Sequence, residues 1–206
     1  MLFIVAASDE QWHELTNSRD AVEWQRVDDA AAFGEYPNAD AFFSLQQDGV
    51  LGEFASLQKP VFINSVTETL AELDAPANVY RINGWATFLN RLVWEIAGVI
   101  TPDAEAVLTS LNIKANAVKD EPGFIAARVI AMIVNEAYFA IEDQVSSKAE
   151  IDTAMKLGTN YPHGPFEWAD LLGSGNILAL LQKLNSTDSR YKPSALLIQE
   201  VKKNKQ

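Results

Sequence analysis

Leu2-Phe3-Ile4-Val5-Ala6-Ala7-Ser8-Asp9-Glu10-Gln11-Trp12-His13-Glu14-Leu15 opens the chain with six apolar residues and then an acidic stretch. An unbroken apolar run predicts a strand covered on both faces, as in a parallel sheet. Ser8 or Asp9 offers an N-cap, and Asp9 and Glu10 suit the positive end of a helix running on to Leu15. Working outward, the pattern repeats. Val22–Val27 alternates with period two. Ala41–Leu45, Val61–Ser65 and Val79–Ile82 are further strand candidates, the last ending near Gly84. Gly49–Leu57 and Glu68–Leu73 read as short helices between them. Strands and helices alternating at this interval predict a parallel α/β layer with right-handed crossovers.

The composition shifts near Thr101. Thr101-Pro102-Asp103-Ala104-Glu105 has a cap and a first-turn proline. After Lys119-Asp120-Glu121-Pro122-Gly123 the strand signals stop. Phe124–Gln144 predicts a long helix apolar almost all round, which must be buried on more than one side. One of those sides is a candidate subunit interface. Ser147-Lys148-Ala149-Glu150 predicts a capping box opening a helix that stops at Gly158. Pro165–Leu172, Ile177–Leu184 and Ser194–Val201 predict three more helices. The expected division is 1–120 for the α/β part and 121–206 for the helical part.

Of 206 residues, 48% are apolar, enough for a real core, and the net charge is −12. That field disfavours nucleic acid and acidic membranes as partners. With no cysteine and only two histidines, thiolate sites and multi-histidine metal sites are excluded. The start lacks a basic leader region, so the cytoplasm is the expected address.

Several long motifs then carry a resemblance. Lys119–Ile125 with Arg128, Asn135-Glu136-Ala137, Ile151–Gly158, Asn160–Glu167, Asp170–Gly173 and Arg190–Ser194 with Leu196-Leu197 resemble, in order, the C-terminal part of 3-hydroxyacyl-CoA dehydrogenases. Upstream, Ile63–Leu70 and Gly84–Phe88 followed by Leu92–Ile96 resemble more loosely the end of that family's nucleotide-binding domain. The resemblance implies a truncated Rossmann-like layer followed by a helical domain of the 6-phosphogluconate-dehydrogenase C-terminal type, which in this family makes the homodimer.

The family exchanges a hydride between NAD and a 3-hydroxyacyl-CoA, with a histidine as base, a glutamate orienting it, and a serine and an asparagine holding the substrate oxygen. Carried over, the histidine falls on Ala86, the glutamate on Glu95, the serine on Glu68 and the asparagine on Ala127. Alanine cannot move a proton, and losing a general base costs about 10²- to 10⁴-fold. The first turn, Val5–Gln11, has no glycine to admit a pyrophosphate and carries two carboxylates instead. No cofactor is therefore expected, although the family's is NAD. Asp28 or Asp29 could grip an adenosine ribose, but an aspartate after a strand is more often a loop cap.

His163 is a candidate surrogate base, against the plainer reading of a loop histidine. Glu95 equally fits an ion pair with Arg81 or Arg91. His13 lies in no motif. Trp12, Trp24, Trp85, Trp94 and Trp168 read mostly as packing aromatics. Asn135 with Glu136 reads as an interface or register device. The resemblance and its departures imply a relative that has lost dehydrogenase activity and serves as a dimeric binding or regulatory protein for an acyl-CoA-type ligand. The alternative is an active NAD-dependent enzyme of fatty acid metabolism with a rearranged site. A third is a structural subunit that pairs with a complete dehydrogenase.

Overall fold

The computed structural model describes residues 1–46 and 51–204; Gly49 and Val50 of the expected Gly49–Leu57 helix lie outside them. Two compact units divide after Phe124.

The first unit is a seven-stranded sheet. Its strands are β1 (Leu2–Ala6), β2 (Glu23–Val27), β3 (Ala41–Ser44), β4 (Val61–Asn64), β5 (Val79–Ile82), β6 (Val93–Ala97) and β7 (Lys114–Ala117), in the order β2-β1-β3-β4-β5-β6-β7. The opening run does what its composition demands. Phe3 and Val5 point into one core with Phe43, Phe62, Tyr80 and Ile96, while Ile4 and Ala6 point into another with Phe42, Val61 and Ile63. Period-two alternation thus feeds two layers from one strand. Phe43, Phe62 and Tyr80 stack in sequence across three strands, with ring centroids 5.1 and 5.3 Å apart.

The expected wholly parallel layer holds only for β1 to β5. β6 runs antiparallel to β5, and β7 parallel to β6. The segment between Ile82 and Val93 is too short for a helical crossover, which needs about a dozen residues or more, so the chain turns back. β7 gave no sequence signal because it is a polar rim strand, Lys-Ala-Asn-Ala, exposed along most of its length.

Among the described residues of this unit there are two α-helices, α1 (Asp9–Thr16) and α2 (Pro102–Ser110). Ala30–Glu35 and Leu51–Leu57 are short stretches of tighter 3₁₀ helix. The helix expected over Glu68–Leu73 is absent. Thr69 and Glu72 cap each other's amides, closing one turn, and Asp74 then takes φ +50° and breaks the run before Pro76.

The second unit is all helical: α3 (Ala126–Glu142), α4 (Lys148–Thr159), α5 (Pro165–Leu172), α6 (Ser174–Asn185) and α7 (Ala195–Lys203). α3 packs against α4, α5, α6 and α7. Asn135 sits buried on α3 and binds within the same chain, not across an interface. Its Nδ2 donates to the Lys192 carbonyl (2.9 Å) and its Oδ1 accepts from the Ser194 amide (2.9 Å). The Ser147–Glu150 capping box forms as expected. α4 does not stop at Gly158, however. It runs one residue further, and Asn160 supplies the left-handed cap at φ +57°.

Candidate functional site

In sheets of this kind, ligands sit outside the carboxyl ends of the strands. Here that rim is stitched together by its own side chains. Ser8 caps α1, and Gln11 completes a capping box with it. The Gln11 amide then reaches across to the carbonyls of Leu45 after β3 (2.9 Å) and Gly84 after β5 (3.2 Å). Asn64 at the end of β4 donates to the same Leu45 carbonyl (3.1 Å) and accepts from the Gly84 amide (2.9 Å). A Cβ at Gly84 would lie 2.7 Å from the Asn64 side chain, so only glycine fits there.

A pyrophosphate-binding turn carries glycines in the pattern Gly-x-Gly-x-x-Gly. Counted from the end of β1, those places hold Ala6, Ser8 and Gln11. Arg26 bonds Asp9 (2.6 Å) and the Ala7 carbonyl (2.8 Å) beside them. Asp29 is spent on capping Ala31 (2.7 Å), in keeping with a loop cap. The residues at the usual seat for a dinucleotide's phosphates do not fit one.

The loop after β5 is the least relaxed part of the unit. Ala86, at the expected base position, is half-buried. Its neighbour Thr87 adopts φ +70°, a strained conformation for a β-branched residue. The strain is held by Glu14 of α1, whose Oε1 accepts the Thr87 amide at 2.6 Å. Burial pushes the Glu14 carboxyl above its ordinary range, while the Thr87 and Leu89 amides pull it back in part. Glu14 Oε2, Asn83 Nδ2 and Thr87 Oγ1 are buried without a hydrogen-bond partner.

The other candidates fall as follows. Glu95 lies on β6 and acts electrostatically on Arg91, whose Nε donates to the Thr87 carbonyl (3.0 Å). Arg81 is not its partner. Arg81 is fully buried and pairs with Asp120, because the chain leaving β7 passes that end of the sheet. Glu68 is exposed in the turn after β4. In the second unit, Ala127 is fully buried on α3, and His163 is half-buried with its ring edge-on to Trp168 at 4.7 Å. His13 is exposed, while Trp85, Trp94 and Trp168 are buried. Among the described residues no cluster of three or more His, Asp or Glu could hold a metal, and no helix is long and apolar enough to cross a membrane. Glu14, Asn83 and Thr87 escaped the sequence reading. The one available signal was that Gln11 and Glu14, three apart, share a helix face.

A Rossmann-like sheet followed by a helical domain defines a dehydrogenase-type architecture. Residues 123–206 match the family described as 3-hydroxyacyl-CoA dehydrogenase, C-terminal domain, and the chain as a whole resembles that family. The 3-hydroxyadipyl-CoA dehydrogenase of Escherichia coli (strain K12) is 46% identical over 86 residues, 41% of this chain and 18% of that protein. The 3-hydroxybutyryl-CoA dehydrogenase of Bradyrhizobium diazoefficiens is 33% identical over 149 residues, 66% of this chain and 50% of that protein. The chain thus spans about half, or less, of the curated relatives' length. The crystal structure of (S)-3-hydroxybutyryl-CoA dehydrogenase from Ralstonia eutropha matches with a TM-score of 0.77 at 19% identity, covering 98% of this chain and 93% of that one, which establishes a shared fold. These relatives correct the expectation of no cofactor. They are dehydrogenases, and NAD is the cofactor indicated for the family.

Proposed function

We propose that this protein binds an acyl-CoA-type thioester on a dehydrogenase scaffold that no longer supports the histidine-dependent reaction. Ala86 carries the reading. The loop where the resemblance requires an imidazole offers a methyl group, and the nearest titratable side chain bonded to that loop is Glu14, already committed to the Thr87 amide. Ala127 removes the second polar contact to a substrate oxygen. Binding can outlive chemistry, because ground-state contacts and transition-state contacts are made by different groups.

The protein works as a homodimer through its helical unit. Ile125, just before α3, and Val129 on it are about half exposed in the single chain, with Val145 and Leu157 more so. Large apolar side chains left in water on this unit support an interface there.

Isothermal titration with butyryl-CoA, alongside formation of NADH from 3-hydroxybutyryl-CoA and NAD, tests the reading. Saturable heat with turnover more than about a hundredfold below an ordinary dehydrogenase supports it. Turnover within that margin overturns it in favour of an active enzyme with a rearranged site, the reading favoured by the relatives' names. His163 or Glu14 would then be the base to mutate.

A further inference from the structure

We propose that residues 84–91, the segment leaving the carboxyl end of β5, form a strap buckled onto α1, held while Glu14 is protonated and loosened when it ionises. This concerns access to the rim and holds whatever ligand the rim takes.

Three side chains on or just after α1 reach the main chain of the strap in order. Gln11 Nε2 donates to the Gly84 carbonyl (3.2 Å), and Glu14 Oε1 accepts from the Thr87 amide (2.6 Å). Arg19 Nη2 donates to the carbonyls of Leu89 (2.9 Å) and Arg91 (3.3 Å). Gln11 has no charge to lose, and a guanidinium keeps its own throughout the range in which proteins fold. Of the three buckles, Glu14 is the one that changes with pH. It also holds the strained point of the strap, because Thr87 at φ +70° relaxes once its amide is released.

The carboxyl is poorly housed as an anion. An ionised carboxyl needs donors at both oxygens, and burying charge without them is costly. Oε1 has the Thr87 amide, but Oε2 is buried without a hydrogen-bond partner. Of the charged groups around it, Glu10 on α1 repels it, while Arg91 in the strap attracts it and is shared with Glu95 of β6. Burial outweighs the pull of the Thr87 and Leu89 amides and of Arg91, and raises the carboxyl above its ordinary value of 4.5. A proton on Oε2 removes the buried charge and leaves Oε1 to accept the Thr87 amide as before. The strapped state therefore binds that proton more tightly than an opened one, in which Glu14 is solvated. The strap is fully held below 4.5 and loosens as pH rises through the raised value. Ala86 lies in this segment, on the rim where α/β sheets bind, so rising pH frees that rim.

Hydrogen exchange followed by NMR on the isotope-labelled full chain tests this. The Thr87 amide is compared with that of Phe43 in β3, with rates corrected for the intrinsic effect of pH on exchange. The same sample gives the titration midpoint of the Glu14 carboxyl. Thr87 protection relative to Phe43 should fall across that midpoint, by about tenfold for each pH unit that the midpoint stands above the ordinary value. Glu14→Gln keeps the acceptor without the charge and should hold Thr87 at its acid-side protection throughout. A flat wild-type profile, protection that rises with pH, or an unaltered slope in Glu14→Gln overturns the strap. Should the glutamine variant fail to fold by circular dichroism, the wild-type midpoint and profile decide alone.

Discussion

The guanidinium of Arg81 lies 4.6 Å from the centroid of the Phe124 ring, at the point where the chain leaves the sheet. The same arginine pairs with Asp120 and donates to the Ser65 carbonyl (2.9 Å). Phe124 follows Gly123, whose amide bonds the Val66 carbonyl (2.7 Å). The exit of the first unit is therefore anchored by a buried cation, and its strength can be measured. Asp120→Asn removes the charge that compensates Arg81 while keeping the shape. Stranding a buried cation costs about 3 kcal/mol, and a fall in Tm of about 10 °C is expected. An unchanged denaturant midpoint would show that Asp120 contributes nothing.

Asn135 ties α3 to the segment before α7 through both ends of its amide. In Asn135→Leu the Lys192 carbonyl and the Ser194 amide lose their partners at a buried position. The expected cost is about 3 kcal/mol, with the Ser194 amide losing protection in hydrogen exchange. If exchange there is unaltered, the tie is not what orders this segment.

Glu150 gives a pH signature. The Ser147 hydroxyl, then the Ser147 amide and the Ser146 hydroxyl, hold its carboxyl down at about 2. A depressed folded-state pKa means that the cap's contribution is fully present above the ordinary value of 4.5 and is lost as pH falls from there towards 2. Following the Glu150 side-chain carboxyl by NMR should give a midpoint near that low value, and Ser147→Ala should move it up towards 4.5. A wild-type midpoint at the ordinary value contradicts the capping geometry.

The exposed side of α3 predicts the assembly. Wild type should sediment as a dimer, and Val129→Lys, which puts a charge into the apolar face, should sediment as a monomer with its helical circular dichroism intact. A monomeric wild type at micromolar concentration would rule out this interface.

Much of the architecture was legible in the residues. Leu2–Ala7 announced a doubly covered strand because only a sandwiched strand can afford apolar side chains on both faces. Thr101-Pro102 and Ser147–Glu150 announced helix starts because their hydrogen bonds are local. What stayed hidden was set at long range. The reversal at β6 depends on the length of the 83–92 connection, and β7 depends on a neighbour for its identity as a strand. Ala86 and Ala127 could be read as empty places only through resemblance. Glu14, Asn83 and Thr87 could not be read at all, since a strained loop and three unsatisfied atoms exist only once α1 and β5 meet in space.

The sheet has two free rims, β2 and β7, and both wear polar side chains. Glu23, Gln25 and Arg26 stand outward on one, and Lys114 and Asn116 on the other. Placing a second molecule's rim against either would strip water from charged and amide side chains. An open-sided sheet of this kind is thereby kept from growing strand by strand into fibrils, and copies of the protein remain free to meet through their helices instead.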